Sequence, residues 1–248
     1  MLLDMNGQEL TDDFAAAWGI AKRHLAAASQ GSLVWLRATL HEPFITHLSF
    51  RLGNQVFFVF VTLEGGVAYE LGTKTMFLQA ADKAGAVACL FPMVTHEGET
   101  EPVPTAPDWG LIDARTSAPV NPAELVSAAL VELSEWEVHD YAVQVVCGQM
   151  RQQGYTVQSW HSYLGIHPTI WFEHEGLEHW VVVNAQRWPA REALRPKALD
   201  DMTKRVPGTG HFASVIVAAG DQDVASSIPT PLYRGQPLQV SFAGLENL

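Results

Sequence analysis

The sequence predicts an α/β protein of the mixed α+β class, built from two tandem copies of one folding unit. Three observations support this. The order helix, three strands, helix, strand occurs twice. Two long hairpins, at 45–66 and 167–189, lie about 120 residues apart. The glycines that end the first helix of each copy, Gly31 and Gly154, are 123 residues apart. Each copy is expected to be α-β-β-β-α-β plus a small terminal hairpin, with helices packed on a mixed sheet.

The first copy is expected to occupy residues 1–120. Its first helix begins after Thr11, with Asp12 and Asp13 in the turn where the helix dipole favours negative charge. A turn at Gly53-Asn54 separates two apolar segments and indicates a hairpin. A second helix is predicted over 73–83. Strands are predicted over the apolar segments 32–40, 45–51, 56–63 and 86–93, and a small hairpin over 111–120.

The second copy is expected over residues 134–248, after a bridging helix over 121–133 with Pro122 at its first position. Ser134 and Glu137 form a capping-box pattern at the start of its first helix. An acidic turn at Glu175-Gly176 joins the two central strands. Further elements are predicted as strands over 157–163, 169–174, 179–185 and 211–218, a helix over 196–206, and a terminal hairpin around 235–237.

Composition excludes several classes of protein. The formal net charge is −12, and a chain with this balance repels polyphosphates, so general nucleic-acid binding is disfavoured. The two cysteines, Cys89 and Cys147, lie in apolar segments and are expected to be buried thiols, which fits a reducing compartment. No signal peptide and no apolar segment of membrane-spanning length is found, so a cytoplasmic protein is expected.

The element order resembles the restriction-endonuclease-like fold, the PD-(D/E)xK nuclease superfamily. In that family an Asp at the start of the second strand and a Glu-x-Lys on the third hold Mg²⁺ and position the attacking water. The matching positions here are Pro168-Thr169 with Val182-Val183-Asn184, and in the first copy Thr46-His47 with Val59-Phe60-Val61. Neither copy has the acids or the lysine. Because hard cations need carboxylate oxygens, the resemblance implies a scaffold without the catalytic motif.

Acidic and imidazole side chains concentrate at the second long hairpin. Glu173, His174 and His179 are the candidate catalytic residues, with Glu175 and Glu178 between them. Two histidines five residues apart across a turn can approach each other, and imidazole suits Zn²⁺. The alternative, favoured because no cysteine or His-x-x-x-His pair accompanies them, is a solvated hairpin tip whose charges protect a sheet edge. No set of metal ligands is predicted.

Six of the fifteen basic residues lie between positions 187 and 205. Such a cluster can form an anion-binding patch. Acidic residues are interleaved with it, so a solvated helix face is the favoured interpretation. The candidate anion-binding residues are Arg187, Arg191, Arg195 and Lys197.

These observations favour one function and leave two alternatives open. The favoured function is a non-catalytic interaction module that binds another, basic protein through its acidic surface or a cleft between the halves. The first alternative is a metal-dependent hydrolase or nuclease with an unconventional site at the 167–188 hairpin. The second is a structural subunit of a homodimer. No cofactor is predicted.

Overall fold

The mixed α+β class is confirmed. The computed structural model describes residues 12–40, 47–64, 71–99, 101–223, 225 and 228–248. Along these residues the chain forms two compact units, divided between Val131 and Glu132, and each contains its own six-stranded mixed sheet. The predicted cap Thr11, the ends of the first long hairpin and Thr46 lie outside the described residues. Within those ranges, no helix is long and apolar enough to cross a membrane.

The first unit consists of two helices packed on a sheet, followed by short terminal elements. Its sheet order is β1-β2-β3-β4-β5, with β6 also paired to β4, and only β3 and β4 run parallel. The elements are α1 (Asp12–Ala28), β1 (Val34–Arg37), β2 (Leu48–Leu52), β3 (Gln55–Leu63), α2 (Leu71–Ala84), β4 (Val87–Val94), β5 (Val103–Pro104), β6 (Ile112–Asp113) and α3 (Pro122–Leu125).

The second unit repeats this arrangement, with sheet order β11-β10-β9-β8-β7 and β12 also paired to β10. Only β9 and β10 run parallel. Ser134 caps the first helix in the expected capping box with Glu137, and Gly154 follows that helix with a positive φ. The elements are α4 (Glu135–Gln152), β7 (Thr156–Trp160), β8 (Ile170–His174), β9 (Leu177–Arg187), α5 (Leu199–Arg205), β10 (Thr209–Ala219), β11 (Leu238–Phe242) and β12 (Glu246–Asn247).

The two units share one strand register. Leu48 pairs with Val59 as Ile170 pairs with Val181, and every other partner pair of β2 and β3 recurs 122 residues later in β8 and β9. The same offset relates the parallel pair β3–β4 to β9–β10. It also relates the irregularity between Trp35 and Arg37 to the one in β7. Each strand residue of one unit therefore has a defined counterpart in the other.

The sheet of the second unit has a buried core on both faces. On the α4 face, Val146 and Met150 pack against Phe172, Val181 and neighbouring residues. On the α5 face, a smaller cluster contains Trp180, Val182, Leu199 and Phe212. The continuous apolar segments of the central strands are explained by this two-sided burial, because both sets of alternating side chains leave water. Both cysteines are free thiols and buried, as expected.

The bridging helix expected over 121–133 is a single turn, Pro122–Leu125. The reason is a competing set of hydrogen bonds from the first hairpin. Asn54 Oδ1 accepts from the backbone N–H of Ser127, and Asn54 Nδ2 donates to Ala129 O at 2.8 Å. Val126 has an extended backbone and packs closely on Gly53. A Cβ atom added to Gly53 would lie 2.5 Å from the side chain of Val126. Tertiary contacts thus override the local helix propensity.

Two terminal details also differ from expectation. Helix α5 begins at Leu199, later than the predicted start at residue 196. In the second unit the segments around Gly235 have different partners: β11 pairs with β10, while Tyr233 forms an isolated bridge with Glu132. In the first unit Ile112 pairs with Pro119, which closes the small hairpin expected there.

Candidate functional site

The turn of the β8–β9 hairpin is built by Glu175 and Gly176, which both have positive φ angles of 53° and 75°. This is the conformation that a two-residue hairpin turn requires. Glu173 lies directly opposite Glu178 across the two strands. Successive side chains of a strand point to opposite faces, so Glu173 and His174 diverge. The three candidate residues Glu173, His174 and His179 therefore do not converge: Glu173 lies on the α5 face and the two histidines lie on the α4 face.

A third histidine joins His174 and His179 on the α4 face. Nδ1 of His179 lies 3.0 Å from Nε2 of His211, within hydrogen-bonding distance, and the ring centroids are 5.3 Å apart. The rings of His174 and His179 are 6.2 Å apart. His211 is only 9% exposed, whereas His174 is exposed at the hairpin end and packs edge-on against Tyr155. We call these three residues the histidine cluster.

The first unit has apolar residues at all three positions of the histidine cluster. The shared register matches His174 to Leu52, His179 to Phe57 and His211 to Cys89. Phe57 stacks on Phe50 at 5.0 Å, and His179 stacks on Phe172, the counterpart of Phe50, at 4.8 Å. The same backbone thus packs well with a purely apolar set. The imidazoles are not required by the fold.

Burial lowers the pKa of His211, and the neighbouring His179 lowers it further, while the Asn247 side chain acts in the opposite direction. Asn247 lies opposite His211 in the register of β12 with β10. A lowered pKa keeps the imidazole neutral near pH 7, and a neutral imidazole has one unprotonated nitrogen that can bind a metal ion or accept a hydrogen bond.

A second polar cluster joins α4 to the loop between β7 and β8. Both carboxylate oxygens of Asp140 accept hydrogen bonds, one from Ser162 Oγ and one from Gln144 Nε2, each at 2.5 Å. His161 Nε2 contacts Pro168 O at 2.8 Å, and Tyr163 N donates to His161 Nδ1. A carbonyl only accepts, so the proton of His161 lies on Nε2. The cluster fixes the loop onto the helix.

Two further histidines lie on the elements that this cluster joins, His139 in α4 and His167 in the loop between β7 and β8. His139 is 5% exposed, and burial, followed by the charge of His167, lowers its pKa to about 4. Burial also lowers the pKa of His167. His139 Nε2 and His167 Nδ1 make no hydrogen bond with the described residues. Both imidazoles are therefore neutral at pH 7, which is the cheaper state for a buried ring.

The positions that match the nuclease motif lie together on the α5 face, and none carries an acid. Thr169 is fully buried, and its hydroxyl accepts from Val183 N. Asn184 Nδ2 donates to Leu194 O, and Ser214 Oγ accepts from Ala193 N. Asn184 and Ser214 are neighbours in the β9–β10 register, so together they hold the loop before α5 over this end of the sheet.

In the first unit the register corrects one of these assignments. Val182-Val183-Asn184 correspond to residues 60–62, not to Val59-Phe60-Val61. His47, the counterpart of Thr169, is buried with its ring stacked on Phe58 at 4.0 Å. Burial, aided by Arg37, holds the pKa of His47 well below its usual range. A neutral, aromatic-packed imidazole stands where a nuclease would have a carboxylate.

The candidate anion-binding residues do not form one open patch. Arg187 donates to Glu135 at 3.0 Å and also contacts Glu132. Arg195 forms an ion pair with Glu246 and lies over the ring of Phe212. Arg191 and Lys197 are exposed, and neither forms a salt bridge with a described residue. Two of the four cations are thus neutralised by acids distant in sequence.

Sequence reasoning did not include His211 in the hairpin cluster, nor did it propose His139, Asp140 or Ser162. His211 is 32 residues from His179, and the two meet only because β9 and β10 pair in parallel. A usable signal existed for His211. It is the third residue of β10 as Cys89 is of β4, so an alignment of the two copies at this offset would have shown an imidazole where the first copy has an apolar residue.

Residues 136–248 match the family model described as a domain of unknown function, DUF8840. The match begins at the second residue of α4 and continues to residue 248, so it covers the second unit and none of the first. No curated protein and no solved structure matches the chain. The histidine cluster, the Asp140 cluster and the acidic turn all lie within the matched segment.

Proposed function

We propose that the protein is a non-catalytic interaction module that binds a basic protein partner through the acidic end of the β8–β9 hairpin, on a scaffold that resembles a nuclease without its metal site. The observation that carries the proposal is the pairing of Glu173 with Glu178. Like charges directly opposite on a sheet are destabilising. Neither glutamate has an ion pair with a described residue.

Glu175 adds to the same surface. It lies between the paired glutamates and has φ 53°, a left-handed conformation that disfavours residues other than glycine, asparagine and aspartate. The first unit has Gly53 at this position and Arg51 at that of Glu173. The register therefore shows that the turn can form without acids. Three uncompensated carboxylates at an exposed tip are consistent with a cationic partner.

The α5 face supports the non-catalytic part of the proposal. At the positions where the resembling nucleases hold a cation, the second unit presents Thr169, Val182 and Asn184, and the loop backbone at Leu194 is hydrogen-bonded to Asn184. Neutral oxygens from one hydroxyl and one amide are a poor ligand set for Mg²⁺, which is usually held by one or two carboxylates with water and phosphate oxygens.

The test compares two variants with the same change in charge. Glu173, Glu175 and Glu178 are replaced by glutamine in one variant, and the exposed Glu97, Glu99 and Glu101 in the control. Partner proteins are captured from native lysate by the wild-type chain and purified. The affinity of each partner for the wild-type protein, the hairpin variant and the control variant is then measured by calorimetry. Three exposed ion pairs contribute about 1–3 kcal/mol, so we expect binding to the hairpin variant to be weaker by about fivefold to a hundredfold.

The control variant is expected to bind like the wild-type protein, and added salt is expected to weaken binding. A partner that binds the hairpin variant and the wild-type protein equally would contradict the proposal. So would turnover of phosphodiester or phosphomonoester substrates by the wild-type protein in the presence of Mg²⁺, Mn²⁺ or Zn²⁺. Such turnover would favour the hydrolase alternative at the 167–188 hairpin, which the contact between His179 and His211 also motivates.

A further inference from the structure

The histidine cluster offers a second, independent basis for function. His179 and His211 point ring nitrogens at each other at 3.0 Å. Two imidazole nitrogens bound to one tetrahedral Zn²⁺ at 2.0–2.1 Å lie about 3.3 Å apart. The two nitrogens are therefore within a few tenths of an ångström of the separation of two ligands of one ion, and each ring must also turn so that its lone pair faces the ion. The strands hold both side chains, because β9 and β10 are adjacent in the sheet.

We propose that His179 and His211 form a binding site for a divalent transition-metal ion of the Zn²⁺ type, with His174 as the third ligand. Within the described ranges, no three His, Cys, Asp or Glu side chains already have a metal-binding arrangement. His174 must therefore rotate toward the pair. Its side chain is exposed and its ring is 6.2 Å from that of His179, so the rotation needs no change in the core. Water completes the coordination.

A comparison of the two units distinguishes the histidine cluster from ordinary core packing. Leu52, Phe57 and Cys89 fill the same three positions in the first unit, and Phe57 and Cys89 there are fully buried. In the second unit three imidazoles occupy these positions, on one face at the end of the sheet. A single buried histidine is common, whereas three imidazoles on one face, two of them in direct contact, supply nitrogen donors that the packing of this face does not require.

The charges and protons of the site are consistent with metal binding. Each neutral imidazole carries one proton, and the nitrogen that binds the ion must be the unprotonated one. In the metal-free pair the facing nitrogen of one ring carries a proton and donates it to the other ring. When the ion binds, this donor ring must lose the proton from its facing nitrogen and carry one on its distal nitrogen instead. For His211 the distal nitrogen is Nδ1, which is buried and makes no hydrogen bond with the described residues, and the register partner of His211 in β12 is Asn247. An amide oxygen there suits the outer-shell role of orienting a ligating histidine.

The experiment uses the full chain with any affinity tag removed, because tag histidines bind the same ions. Zn²⁺ binding is measured by calorimetry, and Co²⁺ is used as a spectroscopic probe whose visible absorption reports tetrahedral coordination. We expect one ion per chain. His179→Phe and His174→Leu introduce the residues that the first unit has at these positions, so both variants are designed to keep the packing intact. His96→Ala, an exposed histidine of the first unit, is the control.

Loss of an outer-shell partner already weakens metal binding by about 10–100-fold, so His179→Phe is expected to weaken it by roughly a hundredfold or more. His174→Leu should weaken it by at least about tenfold, and His96→Ala should leave it unchanged. Circular dichroism and the thermal midpoint show that each variant is folded. The proposal is overturned if the wild-type protein takes up no stoichiometric ion, or if a folded His179→Phe variant binds as tightly as wild type. Unchanged affinity in His174→Leu would overturn the assignment of the third ligand.

Discussion

Replacing Arg234 by methionine removes one half of a buried ion pair that joins the start of α4 to the chain before β11. Arg234 Nε donates to Glu137 Oε1 at 2.8 Å, and its Nη2 donates to Oε2 at 2.9 Å. The two side chains are only 3% and 7% exposed. Methionine keeps the apolar stem of the arginine, so the substitution tests the charge and the hydrogen bonds rather than the packing.

The expected loss follows from what remains around Glu137. Breaking a buried ion pair by removing one partner costs about 3–5 kcal/mol, because the other charge stays buried. Glu137 Oε2 still accepts from the backbone N–H of Ser134 at 2.9 Å and from its hydroxyl at 3.0 Å. These bonds partly solvate the carboxylate, so we expect the free energy of unfolding to fall by about 3 kcal/mol, the lower end of the range.

Substitution of the partner residue Glu137, together with the double variant, completes a double-mutant cycle. Glu137→Leu also removes the capping-box contact, worth about 1 kcal/mol, so this single variant should lose more than Arg234→Met. In the double variant no charge remains buried. Its loss should be about 1–2 kcal/mol, far less than the sum of the two single losses.

The assay is urea unfolding combined with native-state hydrogen exchange of peptides from α4. The exchange measurement is needed because the chain has two units, and a single transition would average over them. Arg115→Met is the matched control. Its ion pair with Asp82 is exposed, at 41% and 68%, so the variant should lose about 0.5 kcal/mol or less. A loss below about 1 kcal/mol in Arg234→Met, or additive losses in the cycle, would refute the reasoning.

Two other predictions concern pH and packing. Because the pKa of His139 falls from 6.5 to about 4 on folding, the unfolded chain gains the proton first as pH drops. The contribution of His139 to stability should therefore fall by about 2 kcal/mol between neutral pH and about pH 5, and urea unfolding of His139→Gln should show a pH dependence weaker by that amount. Gly210→Ala should cost about 1–3 kcal/mol, since its Cβ would lie 2.5 Å from the Trp180 ring. Gly148→Ala, with nothing within 4 Å, should not destabilise the protein in the same measurement.

The architecture could be predicted because its signals are local. Alternating and continuous apolar segments, the capping box at Ser134 and the turn at Glu175-Gly176 each depend on neighbouring residues, and all were found in place. The same turn sets the register in which Trp171 pairs with Trp180. The alternation of side chains along a strand could also have been applied to the sequence. It places Glu173 and His174 on opposite faces of the sheet.

The contacts that build the candidate sites could not be predicted, because they depend on which strands and loops become neighbours. Glu137 and Arg234 are 97 residues apart. Arg187 is neutralised by Glu132 and Glu135, more than 50 residues earlier. No periodicity or spacing in one sequence encodes such pairs. The strand order would have to be known first, and only then does the parallel pairing of β9 with β10 place His211 beside His179.

The common strand register of the two units has a consequence for biosynthesis. During translation the first unit emerges ahead of the second, and exchange of equivalent elements between tandem copies is a characteristic route to misassembly. A β9 segment has the length and hydrogen-bonding pattern to take the place of β3 beside β4. What differs is the set of side chains: the imidazole of His179 would enter the site of Phe57 in a fully apolar environment. Divergence between the copies thereby favours the correct partner for each strand.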